Sequence, residues 1–159
     1  MLAEFKINSK EIDKNGKMLA WEEIREMKDM GVSFGSHGMT HSILTKIPKE
    51  ELSYEIEASK LLIKKRTGIS VKFFAYPNGQ AGDFDKNTVQ ALKETNYEAG
   101  FSLLKSSNNK TSDMFALKRL CISNNSSDSL FNNFSPSLFD IEILGLFRLL
   151  KTSLKWRSR

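Results

Sequence analysis

The chain has one cysteine, three prolines and two histidines among its 159 residues. A lone thiol cannot close an internal disulfide, so a small disulfide-built scaffold is excluded. Cys121 lies within Leu117-Lys118-Arg119-Leu120-Cys121-Ile122, far in sequence from both histidines. It reads as a small buried apolar group rather than an activated nucleophile. No stretch approaches the roughly 18 uncharged apolar residues that a membrane span needs. The start, Met1-Leu2-Ala3-Glu4-Phe5-Lys6-Ile7, lacks the long apolar core and cleavage pattern of a secretory signal. A concentrated basic stripe is missing too. The net charge of +5 comes from 24 Lys and Arg against 19 Asp and Glu, scattered until Lys151, Lys155, Arg157 and Arg159. Nucleic acid is therefore not an expected partner. Neither an internal repeat nor a low-complexity tract appears.

What is present is enough for one globular domain: 40% hydrophobic and 27% charged residues, too many apolar groups for a disordered chain and too few residues for two ordinary domains. Trp21, Ile24, Met27 and Met30 recur every three residues, which predicts an amphipathic helix closed by Gly31. Val32-Ser33-Phe34 reads as a short strand after it. Pro48 suits a first helical position, and Leu52, Ile56 and Ile63 trace one face of a helix running to about Arg66 before Gly68. Val71 to Ala75 has the bulk of a buried strand and ends in the turn Tyr76-Pro77-Asn78-Gly79. Asp85 can cap a helix carrying Val89 and Leu92, Asn96 can end it in a left-handed conformation, and Ala99 to Leu103 follows as a strand.

Helices alternating with short apolar strands predict an α/β domain with a largely parallel sheet. Ser106 to Thr111 and Ser123 to Asn133 read as Ser- and Asn-rich loops around a strand at Ala116 to Ile122. Ile141, Leu144, Phe147 and Leu150 fit an amphipathic helix that turns basic at its end, docking on the domain or touching a membrane surface through residues 138–159. The expected organisation is an irregular segment over 1–17, the domain over 18–125, and a loop with a basic C-terminal helix over 126–159.

The two histidines stand four residues apart in Gly35-Ser36-His37-Gly38-Met39-Thr40-His41-Ser42, directly after the apolar stretch. Two imidazoles at this spacing can converge from one helical turn or from a turn-rich loop leaving a strand. Imidazole is a common zinc ligand, but a stable site takes three or four ligands. From spacing alone, a metal pair and a pair of polar loop or capping histidines both remain open. Parallel α/β folds place their sites on loops after strand carboxyl ends, where His37, His41 and the Tyr76 to Gly79 turn all fall.

The order and spacing of Trp21-Glu22-Glu23-Ile24, Gly31-Val32, Gly35-Ser36-His37-Gly38-Met39-Thr40-His41, Leu44-Thr45, Phe73-Phe74-Ala75-Tyr76-Pro77-Asn78-Gly79 and Asn96-Tyr97 to Phe101-Ser102 resemble the polysaccharide deacetylase (NodB homology) family over about Met18 to Ser102. The resemblance implies a distorted (β/α) barrel, here partial and without its first strand. It implies a metal-dependent N-deacetylase acting on acetylated amino-sugar polysaccharide, with a divalent metal, usually zinc, and members that work at the cell envelope or outside it. It makes His37 and His41 metal ligands and Asn78 the residue whose backbone N–H faces the oxyanion. Tyr76 and Pro77 become substrate-side residues of the same turn.

Three parts of the family pattern have no counterpart. The Thr-Phe-Asp-Asp segment, which supplies a base and a third metal ligand upstream of the histidines, resembles nothing in Met1 to Ala20. Ala75 stands where many members carry Arg, and no histidine remains for the late general acid. The expectation is a chain shortened at its N-terminal side, completed by an upstream fragment and weakly active or inactive alone. The alternative expectation is a non-catalytic metal- or carbohydrate-binding remnant.

Overall fold

The computed structural model describes residues 18–120. The chain divides into two compact units between Ser33 and Phe34. In the first, helix α1 spans Trp21–Asp29. The Glu23 carboxylate reaches back to accept from the Ala20 N–H at 2.6 Å, and Trp21, Ile24 and Met27 form its half-buried stripe. Gly31, at φ +93°, ends it as the composition predicts. The Gly31 N–H donates to Lys28 O at 2.9 Å and the Val32 N–H to Met27 O at 3.0 Å, the double bond of a Schellman terminus. That use of the Val32 amide corrects the strand expected at Val32 to Phe34: the amide is committed to the helix end, and Val32 is 41% exposed.

In the second unit, parallel pairing begins at Ser36. Ser36 bridges Phe74 of β1 (Phe73–Ala75), β1 pairs in parallel with β2 (Ala99–Phe101), and Phe101 bridges Leu117. Spatial order thus follows chain order, with helices in the first two crossovers, as an α/β fold requires. The strands are shorter than the apolar runs suggested. The Ser102 N–H turns to Leu117 O at 2.7 Å and the Leu103 N–H to Gly79 O at 2.8 Å, so the backbone leaves the β1–β2 register after Phe101.

Between Ser36 and β1, Pro48 precedes a 3₁₀ turn at Lys49–Glu51, a π-helical turn at Tyr54–Ala58, and helix α2 at Ser59–Thr67. Gly68 closes α2 at φ +74°. Pro48 itself is the residue before the helical run rather than its first member, because its ψ of 147° is extended. Helix α3 (Lys86–Glu94) is capped by Asp85, whose carboxylate accepts from the Thr88 N–H at 2.9 Å. Asn96, at φ +56°, ends it: the Asn96 N–H donates to Lys93 O and the Tyr97 N–H to Leu92 O. The Lys60 ammonium completes that terminus by donating to Thr95 O and Asn96 O, both at 2.8 Å.

Leu44, Leu52, Ile56, Val71, Phe74, Tyr76, Leu92 and Tyr97 form the core. Phe74 is fully buried and packs edge-on against Tyr76 and Tyr97, with ring centroids 5.7 and 5.5 Å away. Gly100 is demanded by this packing: a Cβ there would lie 2.6 Å from the Tyr76 hydroxyl and 2.9 Å from Phe115 O. Among the described residues no helix is long and apolar enough to cross a membrane. Cys121, the Ser123 to Asn133 loop and the helix expected over 138–156 lie outside the described residues.

Candidate metal and oxyanion site

The sheet fixes the first histidine. The Ser36 N–H donates to Phe73 O at 2.9 Å and the Ala75 N–H to Ser36 O at 2.8 Å, so His37 leaves at the carboxyl end of the pairing. Its Nδ1 lies 2.7 Å from Ala75 O. A carbonyl can only accept, so Nδ1 is the donor in this bond and Nε2 is the nitrogen turned to other partners. Metal-binding imidazoles are commonly oriented in this way, by a backbone carbonyl bonded to the ring nitrogen that does not face the metal.

His41 comes back to the same place. Gly38 at φ +82° and His41 at φ +64° both adopt left-handed backbone, so the pair stands on a turn-rich loop and not on a helical turn. The two ring centroids are 4.8 Å apart with planes at 83°, and both residues are exposed. Two imidazoles sharing one ion, with metal–nitrogen bonds of about 2.1 Å, have centroids roughly 4.5 to 5.2 Å apart for coordination angles from octahedral to tetrahedral. The observed separation fits two ligands of one divalent ion. Among the described residues no group of three or more His, Cys, Asp or Glu side chains is placed to hold a metal.

The loop between the histidines closes over a carboxylate that sequence reading passed by. Glu55, only 3% exposed on the π-helical turn, accepts at Oε2 from the Met39 N–H at 2.8 Å and the Thr40 N–H at 3.1 Å. The Thr40 hydroxyl donates to its Oε1 and lies 2.8 Å from the Ser42 hydroxyl, which must therefore be the donor to Thr40. Burial pushes the Glu55 carboxyl up, but the hydrogen bonds from the Thr40 hydroxyl, the Thr40 N–H and the Met39 N–H outweigh it and hold the group below its ordinary value. A π turn at such a place suits a functional loop. Its sequence signal was an acid immediately before Ile56 and three after Leu52, on a face otherwise apolar.

The Tyr76 to Gly79 turn lies beside this loop. A Cβ on Gly38 would sit 2.8 Å from Glu55 Oε2 and 3.5 Å from Pro77 Cγ, so glycine lets the histidine loop pass between them. The Tyr76 N–H donates to Phe101 O at 3.0 Å, and the Gly79 N–H to Pro77 O at 2.7 Å in a three-residue turn about Asn78, itself at φ +59°. No acceptor among the described residues takes the Asn78 N–H. Its side-chain amide donates to Asp83 Oδ2 at 2.7 Å, and the Gln80 N–H donates to the same oxygen at 2.7 Å. Asp83, 8% exposed, is a second positioning acid that sequence reading missed, although its closeness to Asn78 was the available clue. The Thr45 hydroxyl bonds Gly82 O at 2.7 Å, tying the two segments again.

Tyr76 and Pro77 contribute backbone rather than open side chains. The Tyr76 ring is 0% exposed, stacks on Phe84 at 4.2 Å, and donates its hydroxyl to Phe115 O at 2.7 Å. Burial and the nearby Asp113 charge push that hydroxyl well above its ordinary range, so it remains a donor. Pro77 is fully buried as well. Any substrate contact through them is made by the turn they shape. Ala75, at the position noted for Arg, gives its carbonyl to His37.

A sequence model described as "Polysaccharide deacetylase" matches residues 1–100. The polysaccharide deacetylase candidate YxkH of Bacillus subtilis (strain 168) is 26% identical over 120 residues, which cover 76% of this chain and 42% of that protein. Among solved structures, the Streptococcus pyogenes deacetylase PplD, in complex with acetate, matches with a TM-score of 0.69 at 22% identity, covering 82% of this chain and 53% of that one. BC0361, a polysaccharide deacetylase from Bacillus cereus, matches with a TM-score of 0.63 at 25% identity, covering 82% and 38%. The chain thus spans about half the length, or less, of these relatives.

Proposed function

Because the chain belongs to the polysaccharide deacetylase family, we propose that its described unit supplies the histidine pair and the oxyanion turn of a metal-dependent N-deacetylase. The substrate class is acetylated amino-sugar polysaccharide, and the bond cleaved is a non-peptide C–N amide. The observation that carries this reading is the pair itself: exposed rings 4.8 Å apart, one fixed by Ala75 O, beside a turn whose Asn78 N–H finds no acceptor among the described residues. The enclosing architecture in this reading is part of a distorted (β/α) barrel.

In this reading His37 and His41 would hold the ion through ring nitrogens, donors that suit zinc. When bound, such an ion polarises an amide carbonyl and acidifies water. His37 cannot serve as the general acid in this geometry, because its Nδ1 proton is committed to Ala75 O. The Asn78 N–H faces the developing oxyanion, a role indifferent to the side chain. The Asn78 side chain instead anchors the turn on Asp83, and buried Tyr76 and Pro77 keep that turn rigid. Base and acid are not assigned to described residues, and this reading takes the chain alone as weakly active or inactive.

Zinc competition titration of the 159-residue chain tests it. Wild type should bind one ion that His37→Ala and His41→Ala each weaken by at least tenfold, and acetylated chito-oligomers should be deacetylated at or near background. Affinity untouched by both substitutions overturns the site. The two-donor set favours a second reading, a metal- or carbohydrate-binding protein without catalysis. A deacetylation rate abolished by His37→Ala would remove that second reading, and with it the inactivity of the chain alone.

A further inference from the structure

We infer that Glu55 is a positioning residue for metal binding: it sets where His41 stands relative to His37. The inference rests on the assignment of these two histidines as ligands. The two rings are held in unlike ways. His37 is tied directly, its backbone neighbour Ser36 in the sheet pairing and its Nδ1 on Ala75 O at 2.7 Å. The His41 ring makes no hydrogen bond among the described residues, and its φ of +64° is a conformation that a non-glycine residue holds only when its surroundings enforce it.

The residues just before His41 are what Glu55 grips. One carboxylate takes the Met39 N–H, the Thr40 N–H and the Thr40 hydroxyl, and the Ser42 hydroxyl on the far side of His41 donates to Thr40. Both backbone neighbours of His41 therefore belong to one hydrogen-bonded unit centred on Glu55. An anion of this kind, accepting from two backbone amides and a hydroxyl, is a stiff hub because its bonds are charge-assisted. The hub is itself seated on the helical run between Leu52 and Ile56, both buried in the core. Gly38 completes the arrangement, since any side chain there would strike Glu55 Oε2 at 2.8 Å. Loosening Glu55 frees His41 while His37 stays on the sheet.

The test is zinc affinity of the full chain, measured by competition with a chromophoric chelator, beside thermal unfolding of the metal-free protein. Glu55→Gln should keep the fold, yet weaken zinc binding about 10-fold, the low end of what losing a group that orients metal ligands costs. Amide exchange at Met39 and Thr40 should quicken without metal present, while the Ala75 amide, bonded to Ser36, stays protected. Val71→Ala serves as the control for general destabilisation: it should lower Tm and leave zinc affinity within twofold. If Glu55→Gln does not fold, Thr40→Val removes one of the three bonds and should weaken zinc about three- to tenfold. A folded Glu55→Gln protein that binds zinc within twofold of wild type, or a Val71→Ala protein equally impaired, overturns the inference. Loss of zinc binding to neither His37→Ala nor His41→Ala overturns the ligand assignment instead, and the exchange readout then still judges the loop.

Discussion

The histidine loop and the Asn78 turn are held by the same device applied over different distances. Each is a short irregular segment with left-handed residues, and each gives N–H donors to a buried carboxylate: the Met39 and Thr40 backbone amides to Glu55, the Gln80 backbone amide and the Asn78 side-chain amide to Asp83. Asp83 lies five residues from Asn78 and belongs to the same loop. Glu55 lies 15 residues from Thr40 and reaches the loop only because a helical run packs beneath it. A local clamp survives as long as its own loop does, whereas a distant clamp ties its loop to the core. Exposed imidazoles on a mobile loop would lose their mutual spacing, so the longer connection falls where geometry matters most.

Removing what both regions share has the largest effect. Phe74 bridges Ser36, contacts Tyr76 and lies in the centre of the core, so Phe74→Ala should cost about 3–5 kcal/mol. Urea unfolding measures the loss, and amide exchange at Met39, Thr40 and Gln80 should quicken together. Persistence of protection at one loop alone would show that the two do not share a foundation.

Asp83→Ala should separate them. It strands the Asn78 side-chain amide and the Gln80 N–H, a cost of about 1–3 kcal/mol. Exchange should quicken at Gln80 and not at Met39 or Thr40. Equal quickening at all three amides would mean that the contact through Pro77 couples the loops more tightly than their hydrogen bonds do.

The smallest effect is a dependence on pH. The folded-state value of Glu55 lies below its ordinary 4.5, so its contribution to stability is present above that value and is lost as pH falls through the folded one. Urea midpoints for wild type and Glu55→Gln should differ at pH 7 and converge as pH falls through the folded-state value of Glu55. A constant gap across that range would deny the charge any part in holding the histidine loop.

Residue chemistry that acts over three or four positions was legible in advance. Gly31, Gly68 and Asn96 end helices in left-handed conformations, and Asp85 caps α3, because those bonds join groups close in sequence. Apolar runs were a poorer guide to strands. Val32 looked like strand and is instead spent on a helix terminus, and the run from Ala99 to Leu103 pairs only to Phe101. The histidine spacing allowed two geometries, and the positive φ values at Gly38 and His41 select the loop.

The amino-acid order by itself determined the alternation of helices and strands, the caps, the family and the two candidate ligands, since each depends on local bonding or on the spacing of a few side chains. Tertiary structure alone decided that the rings meet at 4.8 Å, that Tyr76 turns into the core, and that Glu55 governs a loop 15 residues away. These outcomes depend on which surfaces pack together, and burial gives a lone acid its meaning only after the core has closed around it.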